Sequence, residues 1–336
     1  DVPYNLSELP QDKECILTIS FHTKTETLGL PSDWIIAANQ FQLTSGSPLS
    51  IGQCLPEKLT FTQKSHQVTI TSSMFTVIID RGFIVNYNIN GKEILKSPMT
   101  PNYFRALTDN DIGLLNFVPA LIPTNSYYKW RHATQAIKSS KPRVTVNETD
   151  ITIDIPLSVS HMKNVHLSYT ICTNGQILIR HRGTPTMPLL RFGMKFQIDR
   201  SCTNIAWYGR GPHPCYTDRK TGSFIGKYSM PINEFEYTYM RPQESSTRAD
   251  VRYFTVTDQD GKGIKVTASS TQPVMFSALP YSPDELEKFT HINEVNRNND
   301  ITITVDSIQQ GIGGDQPGDA CVREKYQVKA NVEQNL

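Results

Sequence analysis

The chain has 336 residues with 33 basic and 32 acidic side chains, and its net charge of +1 offers no basic field for binding nucleic acid. No run of about 18 apolar residues occurs, which predicts no membrane-spanning helix. The six cysteines are scattered and form no C-x-x-C pair, which disfavours a structural zinc site and predicts buried free thiols.

Residues 13–43 predict two strands joined by a turn. ECILTISFHTKT alternates apolar and polar residues, LGLPSDW has the composition of a turn, and WIIAANQFQL reads as a second strand. Because two strands do not make a stable domain, we interpret residues 1–44 as the last strands of a β-sandwich that begins before this sequence. Residues 45–58 are rich in Ser, Gly and Pro and are predicted to be a linker.

From residue 59 to the end, short strands follow one another. Runs such as QVTIT, FTVIID and FIVNYNI are separated by turns, among them Asn90-Gly91. Short helices are predicted over 127–137 and after Ser282, and a last strand over 323–333. Roughly fifteen strands without βαβ alternation predict an all-β fold, in which residues 59–336 form a large antiparallel β-sandwich.

The stretch Tyr208–Arg252, called the central stretch below, is dense in Gly and Pro and carries charges of alternating sign among aromatic rings. Such a composition predicts a partly buried, non-repetitive loop system rather than a solvated surface loop. Arginines in a packed loop are expected to meet carboxylates in two-pronged hydrogen bonds. The predicted pinning residues are Arg210, Arg219, Arg241 and Arg252, with Asp218, Glu244 and Asp250 as their partners.

Candidate chemistry is sparse when the residues are considered alone. Glycosidases need two carboxylates across a sugar bond, and nothing in the sequence pairs two of the loop acids. Asp109-Asn110-Asp111 offers oxygen ligands for Ca²⁺ or Na⁺, but without the spacing of an EF-hand, so an Asx-turn is predicted instead. The glycines of Gly311-Ile312-Gly313-Gly314-Asp315 precede no helix pattern and are expected to allow a close backbone approach.

Several motifs occur in an order that matches one family. They are Arg105-Ala106-x-x-Asp109-Asn110-Asp111-Ile112-Gly113, then Gly209-x-Gly211-Pro212 with Tyr216-x-Asp218-Arg219, then Arg241-Pro242-Gln243-Glu244, then Pro280-Tyr281-Ser282, and last Gln310-Gly311-Ile312-Gly313-Gly314-Asp315. Their shared order over two hundred residues makes the match specific. From about residue 13 to its end, the chain resembles the C-terminal part of the large bacterial β-galactosidases of glycoside hydrolase family 2, the LacZ type.

The resemblance implies a parent of five domains. Residues 1–44 would end the fourth domain, which is immunoglobulin-like, and residues 59–336 would be the fifth, a supersandwich similar to galactose mutarotase. In that family the nucleophile and the acid/base are glutamates of a TIM barrel, which also binds Mg²⁺ and Na⁺. A chain without the barrel would therefore be a non-catalytic part of a retaining β-galactosidase, with no catalytic residue, metal or cofactor of its own.

The resemblance also implies that two loops of the fifth domain reach the sugar. The substrate-site rim would comprise Asp109, Asn110, Asp111, Gly113, Gly313, Gly314, Asp315 and Gly318. Gly318 stands where well-studied members carry a tryptophan platform, and Pro214 stands where the family usually has Glu. If the domain completes a sugar site, the Asp109–Gly113 and Gly313–Gly318 loops must lie on one edge of the sandwich.

The implied partners are a β-galactoside, the N-terminal domains of the same polypeptide and, in the parent, a second copy in a homo-oligomer; no nucleic acid and no membrane are expected. The compartment is left open between the cytoplasm and the periplasm of a bacterium. One alternative is a stand-alone carbohydrate-binding or aldose-mutarotase-like sandwich, which needs a histidine and a carboxylate converging on its concave face. Another is a structural sandwich that only supports oligomer contacts.

Overall fold

A computed structural model describes residues 5–46, 58–269, 272–297, 299–314 and 322–336. Most of the described chain is in strands. In chain order these are β1 (Glu14–His22), β2 (Ile35–Ser45), β3 (Thr60–Lys64), β4 (Gln67–Thr71), β5 (Phe75–Asp80), β6 (Phe83–Ile89), β7 (Lys92–Glu93), β8 (Leu95–Asn102), β9 (Lys138–Ser139), β10 (Arg143–Val146), β11 (Asp150–Ser158), β12 (Met162–Cys172), β13 (Ile177–Pro185), β14 (Arg191–Ile198), β15 (Asn204–Gly211), β16 (Phe224–Pro231), β17 (Arg248–Val251), β18 (Tyr253–Thr257), β19 (Gly263–Thr267), β20 (Val274–Leu279), β21 (Ile301–Gln309) and β22 (Gln334–Asn335).

Helices are short and few. The α-helices are α1 (Asp109–Ile112), α2 (Tyr128–Gln135), α3 (Ile232–Phe235) and α4 (Pro283–Leu286). Three-ten turns occupy Leu6–Glu8, Gly113–Phe117, Pro119–Thr124, Ile292–Glu294 and Glu324–Tyr326. The two predicted helices are confirmed as α2 and α4, and Ser282 caps α4 by accepting a hydrogen bond from the N–H of Glu285 at 3.3 Å.

The strands form four sheets, and every pairing among the described strands is antiparallel. The largest has the order β17-β20-β21-β14-β8-β6-β5-β4-β3, with β7 on β6. A second sheet has the order β10-β11-β12-β13-β22, with β9 on β11, and a third the order β16-β15-β18-β19. The fourth is the β1–β2 hairpin. The all-β, antiparallel prediction is therefore confirmed.

A shared core holds the sandwich together. Along β5 and along β11 buried and partly exposed residues alternate, because successive side chains of a strand point to opposite faces. Val77 of β5 and Ile153 of β11 are fully buried in one continuous apolar cluster, so the two largest sheets pack face to face. The third sheet joins the same cluster through Phe254, whose ring stacks on Phe276 with centroids 4.1 Å apart.

The hairpin of β1 and β2 contacts the sandwich through polar side chains. Gln40 donates to the carbonyl of Ile225 at 3.0 Å and accepts from its N–H at 2.7 Å, which fixes β2 beside β16. The assignment of residues 1–44 to a partial immunoglobulin-like domain stays a prediction, and most of the predicted linker, residues 47–57, lies outside the described residues.

Two sequence predictions about elements are wrong. The last strand, expected over 323–333, is instead a three-ten turn followed by one isolated bridge from Val328 to Leu189 and by Asn331 at φ 61°, a conformation that ends extended pairing. The central stretch is not loop throughout, since β15, β16 and β17 include parts of it. The cysteine prediction is confirmed for Cys202 and Cys215, which are buried free thiols; Cys172 is also buried, whereas Cys15 is only half-buried, and Cys54 and Cys321 lie outside the described residues.

Candidate functional site

The segment around α1 begins at a capped helix. Thr108 accepts a hydrogen bond from the N–H of Asp111 at 3.1 Å, and Asp111 Oδ2 accepts from the N–H of Thr108 at 3.0 Å. This reciprocal capping satisfies two amide donors that an isolated helix end leaves unpaired. The Asp109-Asn110-Asp111 run is therefore a short helix and not the predicted Asx-turn. Gly113 follows it at φ 59°, where a side chain would be strained.

Arg105 ties this helix to the chain beyond β21. Its guanidinium is fully buried and donates from Nη2 to both oxygens of Asp111 at 2.9 Å. It also donates to the main-chain carbonyls of Gln310 at 2.6 Å and Gly311 at 2.9 Å. Burial lowers the pKa of Arg105, but Asp111 outweighs that effect and leaves it above its ordinary value. Arg105 is therefore a permanent cation whose four strong acceptors bring two distant segments together.

The two predicted rim loops adjoin each other. Residues 311–314, called the glycine loop below, accept a hydrogen bond at the carbonyl of Ile312 from Asn110 Nδ2 at 2.8 Å. On the other side the N–H of Gly313 donates to Asp218 Oδ2 at 2.7 Å. The expectation that these loops share one edge is confirmed for the described part of the glycine loop. The predicted rim residues Asp315 and Gly318 lie outside the described residues.

The carboxylates of the rim differ in their exposure to solvent. The carboxylate of Asp111 is fully buried against Arg105. Asp109 is 56% exposed, and its Oδ1 lies 2.5 Å from Arg241 Nη1 while its Oδ2 accepts from Gln243 at 3.0 Å. Asp111 thus supports the segment from inside, whereas Asp109 belongs to a hydrogen-bonding surface open to solvent.

The central stretch is pinned, but with other partners than the sequence predicted. The pairing of Arg210 with Asp250 is confirmed at 2.6 Å, and Lys220 joins the same carboxylate at 2.6 Å. Arg241 was expected to pair within the stretch, yet it binds Asp109. Arg252 was also expected to do so, yet it reaches Glu14 in β1 and so holds the N-terminal hairpin against the sandwich.

The other two predicted pairings fail in the described part of the chain. Asp218 contacts the glycine loop instead of an arginine. Arg219 is exposed and makes no ion pair with a described carboxylate. Glu244 is buried, but its nearest arginine is Arg191, which lies outside the central stretch with Nη1 3.7 Å from Oε2.

Glu244 belongs to a buried polar cluster that sequence reasoning missed. Its Oε1 accepts from Tyr216 at 3.1 Å and from Thr247 at 2.8 Å. Arg191 donates through Nε to Asp306 Oδ1 at 3.0 Å and through Nη2 to Oδ2 at 2.5 Å. The advance signal was that Arg191 and Asp306 each lie inside a largely apolar strand run, LLRFGMKFQI and ITITVDSIQ.

A cavity of about 10 Å³ adjoins Arg191 and Glu244, which is room for one water molecule. The described residues contain no group of three or more His, Cys, Asp or Glu side chains arranged to hold a metal ion. Nor is any helix of the described chain long and apolar enough to cross a membrane. The region can therefore offer hydrogen-bond donors and acceptors at its surface, above an ion-paired interior.

Comparison with known proteins gives one family. The family described as "Beta galactosidase small chain" matches residues 71–336. A β-galactosidase of Priestia megaterium is 32% identical over 325 residues, which are 95% of this chain and 30% of that protein. For β-galactosidases of Halalkalibacterium halodurans and Streptococcus thermophilus the identities are 28% and 26%, over 76% and 77% of this chain and 26% and 25% of theirs.

The chain thus spans between a quarter and a third of the length of these curated relatives. A crystal structure of a galactose 1-epimerase from Lactobacillus acidophilus superposes with a TM-score of 0.44 at 8% identity, covering 83% of this chain and 96% of that one. A similarity this distant supports no conclusion about function.

Proposed function

Because the chain belongs to the β-galactosidase small chain family, we propose that it is the C-terminal, non-catalytic part of a β-galactosidase that hydrolyses terminal β-D-galactosides with retention. In this proposal Asp109–Gly113 and the glycine loop complete the rim of the active site, and the two reacting carboxylates come from another domain of the same polypeptide. The observation that carries it is the direct contact of these two loops through Asn110 and the carbonyl of Ile312.

The chemistry of the rim suits recognition better than reaction. A retaining glycosidase needs one carboxylate free to attack and another free to protonate. Asp111 and Asp306 are buried in ion pairs with arginines, and Glu244 is buried beneath two hydroxyl donors. The exposed groups are the carboxylate of Asp109 and, at the end of the glycine loop, the main chain of Gly314, and groups of these kinds can hydrogen-bond sugar hydroxyls. The Mg²⁺ and Na⁺ that the family resemblance implies are assigned to the other domains, and they enter no step here.

The N-terminal hairpin supports the presence of a further domain. Phe21 pairs with Ala37 and Leu17 with Phe41, which places Phe21 and Phe41 on one face of the two-stranded sheet. These two rings are 67% and 47% exposed. An apolar sheet face of this kind is normally covered, and the relatives extend well beyond this chain. We assign the cover to the rest of an immunoglobulin-like domain of the same polypeptide.

A complementation experiment tests the proposal. The chain alone is expected to be folded by circular dichroism but to leave an aryl β-galactoside unhydrolysed. The part of the gene product that precedes it should be nearly inactive alone and should gain turnover when the two are mixed. Turnover that survives repurification and scales with the concentration of this chain alone would contradict the assignment.

The alternative of an aldose-mutarotase-like site finds less support in the geometry. Such a site needs a histidine facing a carboxylate in an open cavity. The buried histidine, His181, instead meets Tyr103 Oη at 2.9 Å and stacks on Phe192 with ring centroids 4.4 Å apart. The cavity beside Glu244 is far too small for a hexose. Interconversion of galactose anomers by the chain, followed by polarimetry, would revive this alternative.

A further inference from the structure

We propose that Asp218 is a positioning residue that sets the conformation of the glycine loop, so that the loop can meet a galactoside. The inference rests on the proposed function, because it names the residue that shapes one side of the same rim. Asp218 comes from the central stretch, touches neither α1 nor any catalytic group of this chain, and would act only through the loop it holds.

The contact between Asp218 and the glycine loop is so close that it restricts which residues can stand at both places. Its Oδ2 accepts the N–H of Gly313 at 2.7 Å. A Cβ added to Gly311 would lie 2.5 Å from that oxygen and 2.6 Å from the carboxyl carbon, and a Cβ on Gly313 would lie 3.1 Å from the oxygen. The absence of a side chain at Gly311 is what lets the carboxylate lie against the main chain.

Asp218 completes a set of main-chain anchors. From the side of α1, Arg105 donates a hydrogen bond to the carbonyl of Gly311, and Asn110 donates one to the carbonyl of Ile312. Both of those contacts use a side-chain N–H donor. The amide of Gly313 is itself a donor, and Asp218 supplies its acceptor. Two segments far apart in sequence thus fix successive groups of one short loop.

Stability alone does not account for an aspartate at this position. The second oxygen, Oδ1, is buried and has no hydrogen-bond partner among the described residues. A buried acceptor left without a partner opposes folding, so a carboxylate here is not the most stabilising choice. Its placement against the amide of Gly313 explains why it is nonetheless present.

The test compares variants of the complete polypeptide with an aryl β-galactoside. Asp218→Ala removes the acceptor and is expected to raise KM about tenfold with kcat nearly unchanged. Asp218→Asn keeps an acceptor oxygen in the same place and should restore most of the affinity. Gly311→Ala should raise KM as well, because its new methyl group meets the carboxylate. In the Asp218→Ala background Gly311→Ala should add less than it does alone, since the carboxylate is gone and only Val322 Cγ1 lies close, at 3.0 Å from the added Cβ.

Hydrogen exchange of the peptide that contains residues 311–313 gives a second readout that does not depend on activity. Asp218→Ala should speed its exchange. The matched control is Asp250→Asn, which breaks the pairs with Arg210 and Lys220 in the same stretch; it should lower the melting temperature and leave KM and this peptide unchanged.

The inference is overturned if Asp218→Ala lowers only the melting temperature, or if the effects of Asp218→Ala and Gly311→Ala simply multiply. If the unmodified polypeptide hydrolyses no galactoside, the proposed function fails. In that case the exchange of the glycine loop still decides whether Asp218 positions it.

Discussion

The two carboxylates beside Arg191 should differ in their importance for stability. Asp306 holds the guanidinium with two hydrogen bonds, whereas Glu244 lies 3.7 Å away. Both carboxylates are buried. Burial lowers the pKa of Arg191, yet Asp306 and Glu244 together raise it above its ordinary value, so the guanidinium stays charged. Removing either carboxylate therefore leaves the charged guanidinium of Arg191 buried.

Asp306→Ala leaves that cation without its close partner, a loss that typically costs about 3–5 kcal/mol. Glu244→Ala keeps the Arg191–Asp306 pair and removes the acceptor used by Tyr216 and Thr247. Water entering from the adjacent cavity can replace part of that acceptor, so its cost is about 1–3 kcal/mol. For a chain of this size 1 kcal/mol corresponds to roughly 2 °C. The expected losses in melting temperature are therefore about 6–10 °C and about 2–6 °C.

Differential scanning calorimetry of the two variants measures this order directly. Asp260→Ala is the control, because that side chain is 76% exposed and its contact with Lys262 is solvated. It should change the melting temperature by less than about 1 °C. If Glu244→Ala proves as damaging as Asp306→Ala, or if both variants melt like the control, the cluster is not the buried ion pair inferred here.

Three further predictions concern other parts of the chain. Burial lowers the pKa of His181 to about 4 from 6.5. As pH falls from 6.5 to 4, the unfolded chain therefore binds a proton before the folded chain does, and the folded state loses about 3 kcal/mol of stability. Urea titrations should show that His181→Phe removes this dependence of stability on pH, whereas substitution of the exposed His66 by Gln does not. Glu14→Ala removes the partner of Arg252 and should speed proteolysis of the N-terminal hairpin while leaving the melting of the sandwich within about 2 °C; an unchanged cleavage rate would mean that Gln40 alone holds the hairpin. Gly193→Ala would bring a Cβ within 2.2 Å of the carbonyl of Val305, and it should reduce the yield of folded chain more than any surface substitution, as measured by gel filtration.

The strands could be predicted because their signal is local. Alternation along FTVIID reports directly which residues face the core, and β5 has that pattern. The capped helix α4 was equally readable, since Ser282 and Pro283 are adjacent to the helix they start. The prediction of a last strand was wrong although Val328 and its neighbours alternate as strand residues do. They form only one isolated bridge, because the strands available for pairing are decided by the rest of the fold.

The ion pairs could not be predicted in the same way. Arg241 and Glu244 are three residues apart, but an extended loop turns them in different directions, so one meets Asp109 and the other lies near Arg191. Which carboxylate an arginine meets depends on packing between elements far apart in sequence. The contact of Asn110 with Ile312 was predictable only through the family resemblance, because nothing in either segment alone indicates the other.

The most direct measurement is a structure of the complete polypeptide with a galactoside analogue bound. We expect the sugar to lie within hydrogen-bonding distance of the Asp109–Gly113 segment or of the glycine loop, with the reacting carboxylates supplied by another domain. A sugar bound with neither of these loops lining its site would contradict the proposed role of this chain.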